Sequence, residues 1–236
     1  MTWEKEKSNF LYDKMKSILT SYGISLSEEK TKLIVEYLSL LLEAPMNLSG
    51  IEEFEEAVHK HVADVLLPTK MLQGNLLDVG TGGGIPGLIL SIAYPVKSVL
   101  VDSSRKKTIW LEKAVEKLNL KNVEVVCSRV ESLGETFRET FDYVTARAVA
   151  PLRVLLELCV PFCKVKGILL LYKGPNWMEE MKESRNALKV LNVQLEEKIE
   201  YKLFTGENRV LLKFRKLLPT DPIYPRETRK IIKRPL

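Results

Sequence analysis

Cysteine and histidine are scarce in this chain of 236 residues, which has three cysteines and two histidines. The odd number of cysteines and their apolar neighbours argue against a disulfide framework. Cys159 and Cys163 are four residues apart on a predicted helix and can therefore share one face of it. His59 and His61 lie in a distant segment, whereas structural zinc needs four converging ligands. We therefore predict no metal site.

Long apolar runs are missing as well. No stretch approaches the ~20 apolar residues that a membrane helix needs. The N-terminal segment 1–7 lacks the apolar core of a signal peptide. These absences predict a cytoplasmic protein with no membrane partner, and we expect a monomer.

Charge is unevenly distributed along the chain, whose net charge is +5. Residues 1–72 contain 8 Lys or Arg and 12 Asp or Glu, whereas residues 213–236 contain 8 and 2. A basic tail suits a polyanion such as RNA, although a solvated tail that aids solubility is an equal alternative. The candidate RNA contacts in this tail are Arg226, Arg229, Lys230, Lys233 and Arg234.

The apolar pattern divides the chain into three parts. Residues 1–72 have helical spacing and form an N-terminal helical extension, with a capping box at 25–28. Residues 73–217 alternate between strands and helices, and 218–236 form a basic, irregular tail.

The alternating part predicts an α/β fold with a Rossmann-like, seven-stranded sheet. Five strands are predicted at 75–79, 98–102, 123–127, 141–146 and 167–172. Helices are predicted at 86–94, 104–119, 129–137, 151–162 and 175–191. Two further runs, 194–204 and 208–216, flank a turn and predict a closing hairpin.

The segment 75–87 carries the clearest functional signal. A strand ends in Asp78 and a glycine-dense turn opens a helix, as at the first strand of a nucleotide-binding sheet. The run from Gly82 formally matches the dinucleotide fingerprint. The run Asp78, Gly80, Gly82, Gly84 matches the loop of S-adenosylmethionine (SAM) methyltransferases. Charge favours SAM, because a carboxylate attracts its ammonium and sulfonium and repels a pyrophosphate, by a few kcal/mol per charge at ~4 Å.

Acidic side chains follow two further strands. Asp102 ends the second strand, where a carboxylate can accept both ribose hydroxyls of an adenosyl group. Capping of the next helix is the alternative role for Asp102. After the third strand, Val130 can pack on adenine and Glu131 can bond its edge, with a plain helix start as an equal alternative.

The end of the fourth strand is where methyltransferases place target-facing residues. The Asn/Asp-Pro-Pro-aromatic motif of amine methylation is absent, and Cys127 lacks the Pro-Cys setting of C5 methylation. Arg147 stands there among Ala and Val, where a buried unpaired charge is costly. It is predicted to face a ligand or RNA, or else to pair with an acidic residue, and its removal should cost little stability. Lys173, before Gly174 at the end of the fifth strand, is a weaker candidate for a phosphate.

These segments together resemble one family, the glucose-inhibited division protein B (GidB) proteins, over nearly the whole chain. The glycine loop joined to Ala-Arg-Ala-Val-Ala at 146–150 is the specific part. The resemblance also covers 47–49, 61–66, 100–103, 129–131, 173–174, 206–209 and 224–226. The family's tail usually continues with a Pro-Gly-rich stretch, which this chain lacks at 227–232.

The resemblance implies a SAM-dependent enzyme that methylates N7 of a guanine in the decoding-region loop of bacterial 16S ribosomal RNA. Its partner would be this small-subunit RNA or the 30S subunit. Matching cofactor-contacting positions are Gly80, Ile85, Val130, Glu131 and Arg147. His61 and Asp64 match the family's His-x-x-Asp-Ser-Leu segment, in which Val65 replaces the serine, and this pair is expected to be structural or RNA-facing rather than catalytic.

Two other functions remain compatible with the sequence. One is a methyltransferase of a small molecule or a protein, and the other is an RNA-binding module that senses SAM. Guanine N7 has a free lone pair, so the absence of an acid–base constellation agrees with N7 methylation by positioning alone. In that reaction Arg147 would orient the target, because its planar fork makes paired hydrogen bonds.

Overall fold

The structure is a computed structural model that describes residues 2–236, with side chains from residue 6 onward. Its centre is a seven-stranded sheet of order β3-β2-β1-β4-β5-β7-β6. The strands are β1 Gly74–Val79, β2 Val96–Asp102, β3 Val123–Cys127, β4 Phe141–Arg147, β5 Cys163–Lys173, β6 Val193–Lys202 and β7 Asn208–Lys216. The five predicted strands and the closing hairpin are confirmed.

The sheet is parallel from β3 to β5, and β7 runs antiparallel between β5 and β6. The strand order reverses at β1, which lies between β2 and β4. A ligand crevice forms at such a switch point, outside the carboxyl ends of the strands. The predicted site residues that end β1, β2, β4 and β5 therefore share one edge of the sheet, here called the carboxyl edge.

Helices cover both faces of the sheet. They are α1 Thr2–Ser21, α2 Glu28–Leu42, α3 Phe54–Ala57, α4 Asp64–Leu66, α5 Gly87–Ala93, α6 Arg105–Lys117, α7 Leu152–Cys159, α8 Trp177–Glu183, α9 Arg185–Val190 and α10 Thr228–Lys233. A π-helical segment, Val58–Ala63, joins α3 to α4. The N-terminus of α2 is capped by Ser27, whose Oγ accepts a hydrogen bond from Lys30 N–H at 3.4 Å. The predicted capping box at 25–28 is not formed, because the helix begins only at Glu28.

Two apolar cores lie on opposite faces of the sheet. Leu76 and Leu77 are neighbours on β1 and belong one to each core, as the alternation of side chains along a strand requires. The core around Leu76 includes Met15 of α1 and Ile34 of α2, both fully buried. The N-terminal helices are therefore part of the main core rather than a separate layer.

Three predicted helices differ from the structure. The segment 129–137 forms two 3₁₀ turns, Val130–Ser132 and Glu135–Phe137, separated by Gly134 at φ 76°. The segment 151–162 ends as an α-helix at Cys159, and Cys163 begins β5, so the two cysteines do not share a helix. The segment 175–191 divides into α8 and α9.

The tail is not irregular throughout, because its residues 228–233 form α10. Ile231 on this helix is fully buried in the core that contains α7. The Arg226 guanidinium donates two hydrogen bonds, of 2.7 and 2.6 Å, to the fully buried carboxylate of Glu157 on α7. The Arg226 guanidinium thus neutralises a buried charge, a structural role that the sequence does not predict, and its contact with RNA stays a prediction. The other four predicted contacts, Arg229, Lys230, Lys233 and Arg234, are exposed.

Candidate cofactor and RNA site

The glycine loop is held from beneath by Asp78, which is fully buried. Its Oδ2 accepts hydrogen bonds from Thr81 Oγ1 at 2.6 Å and from Gly87 N–H at 2.9 Å. A Cβ at Gly87 would stand 2.6 Å from the same oxygen, so only glycine allows this contact. Burial raises the pKa of Asp78 to about 6. The carboxylate thus shapes the loop, and its charge lies under the loop rather than in an open cleft.

Gly82 forms the open side of the loop. Its φ is +59°, which favours glycine, and a Cβ there would meet nothing within 4 Å. Its N–H donates to Asp102 Oδ2 at 3.0 Å, while Asp102 Oδ1 accepts from Ser104 N–H at 2.8 Å. Asp102 therefore braces the loop and the start of α6. A carboxylate has about four acceptor sites, so this capping leaves room for ribose hydroxyls.

These contacts fit a cationic nucleoside such as SAM. The loop leaves open space above Gly82, and Asp102 reaches the carboxyl edge beside it. Asp78 Oδ1 is buried without a hydrogen-bond partner, and an orphaned carboxylate oxygen favours a nearby positive charge.

The N-terminal helices hold the rest of the loop. Tyr37 Oη on α2 donates to Gly83 O at 2.8 Å, and a Cβ at Gly83 would stand 2.8 Å from Leu41 Cδ1. Ile85 is buried in the same core. Sequence reasoning missed Tyr37, whose only signal was a hydroxyl within the apolar stripe of α2.

Val130 and Glu131, the two residues predicted to contact adenine, have different environments in the structure. Val130 is buried beside the end of β3. Glu131 Oε1 instead accepts hydrogen bonds from Thr228 N–H at 3.2 Å and Thr228 Oγ1 at 2.5 Å. Glu131 thus holds the start of α10, and the expectation that it bonds the adenine edge does not agree with this position.

Arg147 pairs with an acidic residue, which was one of its predicted alternatives. Its Nη1 donates to Asp64 Oδ2 and to Lys60 O, each at 2.7 Å. Its Nη2 donates to His61 Nδ1 at 3.0 Å, since a guanidinium can only donate. Arg147 therefore ties the end of β4 to the π-helical segment of the N-terminal extension.

The Asp64 carboxylate lies close to the guanidinium groups of both Arg147 and Arg209. Its side chain is buried, and Arg209 Nε of β7 lies 3.7 Å from its Oδ1. Tyr201 Oη of β6 lies 2.9 Å from the same oxygen. One carboxylate is thus shared by two cations. The sequence analysis does not select Arg209. The available signal was the segment 206–209, which contains this arginine and belongs to the family resemblance.

These groups line a cavity of about 460 Å³ at the carboxyl edge, here called the Asp64 cavity. It is lined by Ser49, Ile51, Lys60, His61, Asp64, Arg147, Ala148, Tyr172, Lys173, Gly174 and Arg209. Lys60 is paired with Glu56 and Glu207. The surplus positive charge therefore comes from the two arginines that share Asp64.

Lys173 has a structural role that the sequence did not predict. Its Nζ lies 2.6 Å from Glu180 Oε2 and donates to Ala150 O at 3.0 Å. The ammonium thereby fixes the loop after β4 to α8. Its predicted contact with an RNA phosphate does not agree with this pairing.

The buried His61 should make the protein sensitive to acid. Burial, and then the charge of Arg147, lower the pKa of His61 from 6.5 to about 3. As the pH falls, His61 therefore binds a proton in the unfolded chain before it does so in the folded protein. The contribution of neutral His61 to the free energy of unfolding is complete above about pH 6.5 and is lost as the pH falls toward 3. The slope is at most ~1.4 kcal/mol per pH unit.

Denaturant unfolding of the wild type and of His61→Asn at pH 7.5 and 5 measures this effect. The difference in free energy of unfolding between the two proteins should be smaller at pH 5 than at pH 7.5. Asp78, whose pKa is raised, changes the free energy of unfolding with pH in the opposite direction. It is present in both proteins, so its effect cancels in the difference between them. A difference that does not change with pH would show that His61 is protonated to the same extent in the folded and unfolded states.

Two further observations concern the rest of the molecule. A larger groove of about 1010 Å³ lies at the opposite edge, beside Asn75 and Phe141 at the amino ends of β1 and β4, away from where such sheets bind ligands. Among the helices of residues 2–236, none combines the length and the apolar character of a membrane span.

The strand order, the antiparallel β7 and the glycine loop define a Rossmann-like methyltransferase fold. Consistent with this, the structure superposes on M. jannaschii TYW2 in complex with AdoMet with a TM-score of 0.53, at 12% identity, over 82% of this chain and 79% of that one. It superposes on the B. subtilis YcgJ protein with a TM-score of 0.51, at 14% identity, over 65% of this chain and 96% of that one.

The family model GidB, described as rRNA small subunit methyltransferase G, matches residues 30–209. The chain therefore belongs to the GidB family. It is 54% identical to the ribosomal RNA small subunit methyltransferase G of Pseudothermotoga lettingae, over 95% of this chain and 100% of that protein. It is 48% identical to the protein of the same name from Thermotoga maritima, over 96% of both.

Proposed function

We propose that this protein transfers a methyl group from SAM to N7 of a guanine in the decoding-region loop of small-subunit ribosomal RNA. We further propose that it acts in the cytoplasm, where its substrate is, and as a monomer. The observation that carries the proposal is the Asp64 cavity, which lies at the carboxyl edge together with the glycine loop and carries two guanidinium groups on one carboxylate. The names of the relatives support the choice of RNA.

The chemistry needs little beyond positioning. SAM supplies an electrophilic methyl group on a sulfonium. Guanine N7 has a free lone pair, so no proton has to leave before it attacks, and the ring becomes cationic on methylation. His61, whose pKa is about 3 and whose Nδ1 is bound to Arg147, is not suited to act as a base at neutral pH.

Arg147 and Arg209 are the residues available to orient the guanine. A planar guanidinium can donate two hydrogen bonds to acceptors on one base edge. Asp64 fixes one edge of the Arg147 fork, so the remaining donors are held in one direction. Such alignment of nucleophile and methyl carbon can supply several kcal/mol of the barrier.

Methyl transfer to ribosomal subunits tests the proposal directly. Purified protein is incubated with radiolabelled SAM and with 30S subunits that lack the mark, or with the RNA extracted from them. We expect label at one guanine of the decoding-region loop, at N7. SAM binding without transfer would favour a sensing module, and label on a protein or a small molecule would favour the other class of enzyme.

The exposed tail charges should contribute to RNA affinity. Neutralising Arg229, Lys230, Lys233 and Arg234 to glutamine should weaken RNA binding and flatten its salt dependence, by up to ~0.7–0.9 log units per lost phosphate contact. Affinity for SAM should not change. Glutamines at the exposed residues Lys97, Lys117, Lys121 and Lys189 give a control with the same change of charge elsewhere, and a salt slope equal to this control would show that the tail is only solvated.

A further inference from the structure

A second groove, of about 560 Å³, lies beside the Asp64 cavity and is here called the outer groove. It runs between the start of α8, the end of β6 and the start of β7. Gly174 and Arg209 line both spaces. Because the two spaces adjoin at these residues, an RNA strand that places one nucleotide in the Asp64 cavity can place the next one in the outer groove.

One wall of the outer groove is apolar and faces solvent. Pro175 and Met178 are exposed, the latter at 59%, and Trp177 lies half-buried between them. Trp177 packs on the core of α7 and also lines the groove, and Lys198 Nζ lies 4.9 Å from the centre of its ring. Unstacked nucleobases bind such surfaces because every base has a π-face.

The opposite wall is polar and cationic. Tyr201 and Arg209 are directly opposed in the β6–β7 ladder, and Lys202 follows as an exposed residue. The nearby Glu200 is neutralised by Lys198 at 2.8 Å. An aromatic wall facing a cationic wall is the combination that binds single-stranded nucleic acid.

We propose that the outer groove binds the nucleotide adjacent to the methylated guanine. Its base packs against Met178 and Trp177, and its phosphate lies toward Lys202 and Arg209. This proposal rests on the proposed function, because it takes the Asp64 cavity as the site of the target guanine.

Steady-state methyl transfer to 30S subunits that lack the mark tests the groove. Met178→Glu and Lys202→Glu change exposed side chains. Each should raise the KM for the subunit about tenfold, the scale of one lost stacking or phosphate contact, with little change in kcat or in the Kd for SAM. Lys189→Glu on α9 lies outside the groove and should stay within twofold of the wild type. Trp177→Ala should raise KM at least as much, and Trp177→Phe should retain most of the affinity.

Photocrosslinking identifies what occupies the groove. A photoreactive phenylalanine analogue in place of Met178 should crosslink to the RNA nucleotide next to the methylated guanine. A crosslink to a ribosomal protein or to distant RNA overturns the proposal, as do glutamate variants whose KM equals that of Lys189→Glu. A wild-type protein that transfers no methyl group to subunits or RNA overturns the proposed function first, before any variant is compared.

Discussion

Replacing Gly82 with aspartate should abolish SAM binding while the protein stays folded. A Cβ at Gly82 meets nothing within 4 Å in the free protein, and aspartate tolerates a φ of +59° better than most residues. The new carboxymethyl group would fill the space above the loop that the cofactor needs, and it would crowd the carboxylate of Asp102. We expect the Kd for SAM, measured by calorimetry, to rise about 100-fold or more, which corresponds to ~2.8 kcal/mol.

Gly23→Asp is the matched control for this variant. Gly23 has a φ of +71° and open space around its Cβ, but it follows α1 rather than forming part of the glycine loop. It should show the same small loss of stability and unchanged SAM affinity. If Gly82→Asp binds SAM as tightly as Gly23→Asp, or if the wild type binds NAD more tightly than SAM, the cofactor assignment is wrong.

Replacing Arg147 with alanine should impair both folding and methyl transfer. The sequence-based expectation of little loss of stability does not hold, because Arg147 neutralises the buried Asp64. The substitution leaves Asp64 buried with only Tyr201 and the more distant Arg209 as partners. Breaking a buried ion pair costs about 3–5 kcal/mol, so the melting temperature should fall by about 10 °C. Turnover should fall by about 10²-fold or more, because a positioning contact is lost. Calorimetric melting and labelled methyl transfer measure the two effects.

A second substitution separates the two roles of Arg147. Asp64→Asn removes the orphaned charge, so the double variant with Arg147→Ala should recover much of the melting temperature and none of the turnover. Arg147→Lys should rescue both only in part, since an ammonium lacks the planar fork. Turnover that returns together with stability in the double variant would show that Arg147 acts only as a structural ion-pair partner.

The strands and the glycine loop could be predicted because their signals are local. The alternation of strands and helices, and the glycines after Asp78, are each encoded within a few neighbouring residues. The positions of Asp78, Asp102 and Arg147 at one edge then follow from the parallel sheet.

The partners of the charged residues could not be predicted in the same way. Arg147 meets Asp64 from 83 positions away, and Glu131 meets Thr228 from 97 positions away. A single sequence does not report such pairings, so Lys173 and Arg226 were expected to face RNA when each neutralises a carboxylate. Glu157 is a lone acidic residue within the apolar run of α7. It was a local sign that a buried carboxylate there needs a cation from a distant part of the chain.

The environment of Asp64 imposes an order on assembly as the chain leaves the ribosome. Asp64 emerges 137 residues before Tyr201, and Arg209 follows later still. Until β6 and β7 have been synthesised and β7 has inserted next to β5, this carboxylate has at most Arg147 to neutralise it. A nascent chain that stops before the hairpin therefore has most of its sheet but an unfinished Asp64 cavity. The last two strands complete the protein's charge balance as well as its sheet, so activity should appear only when they are in place.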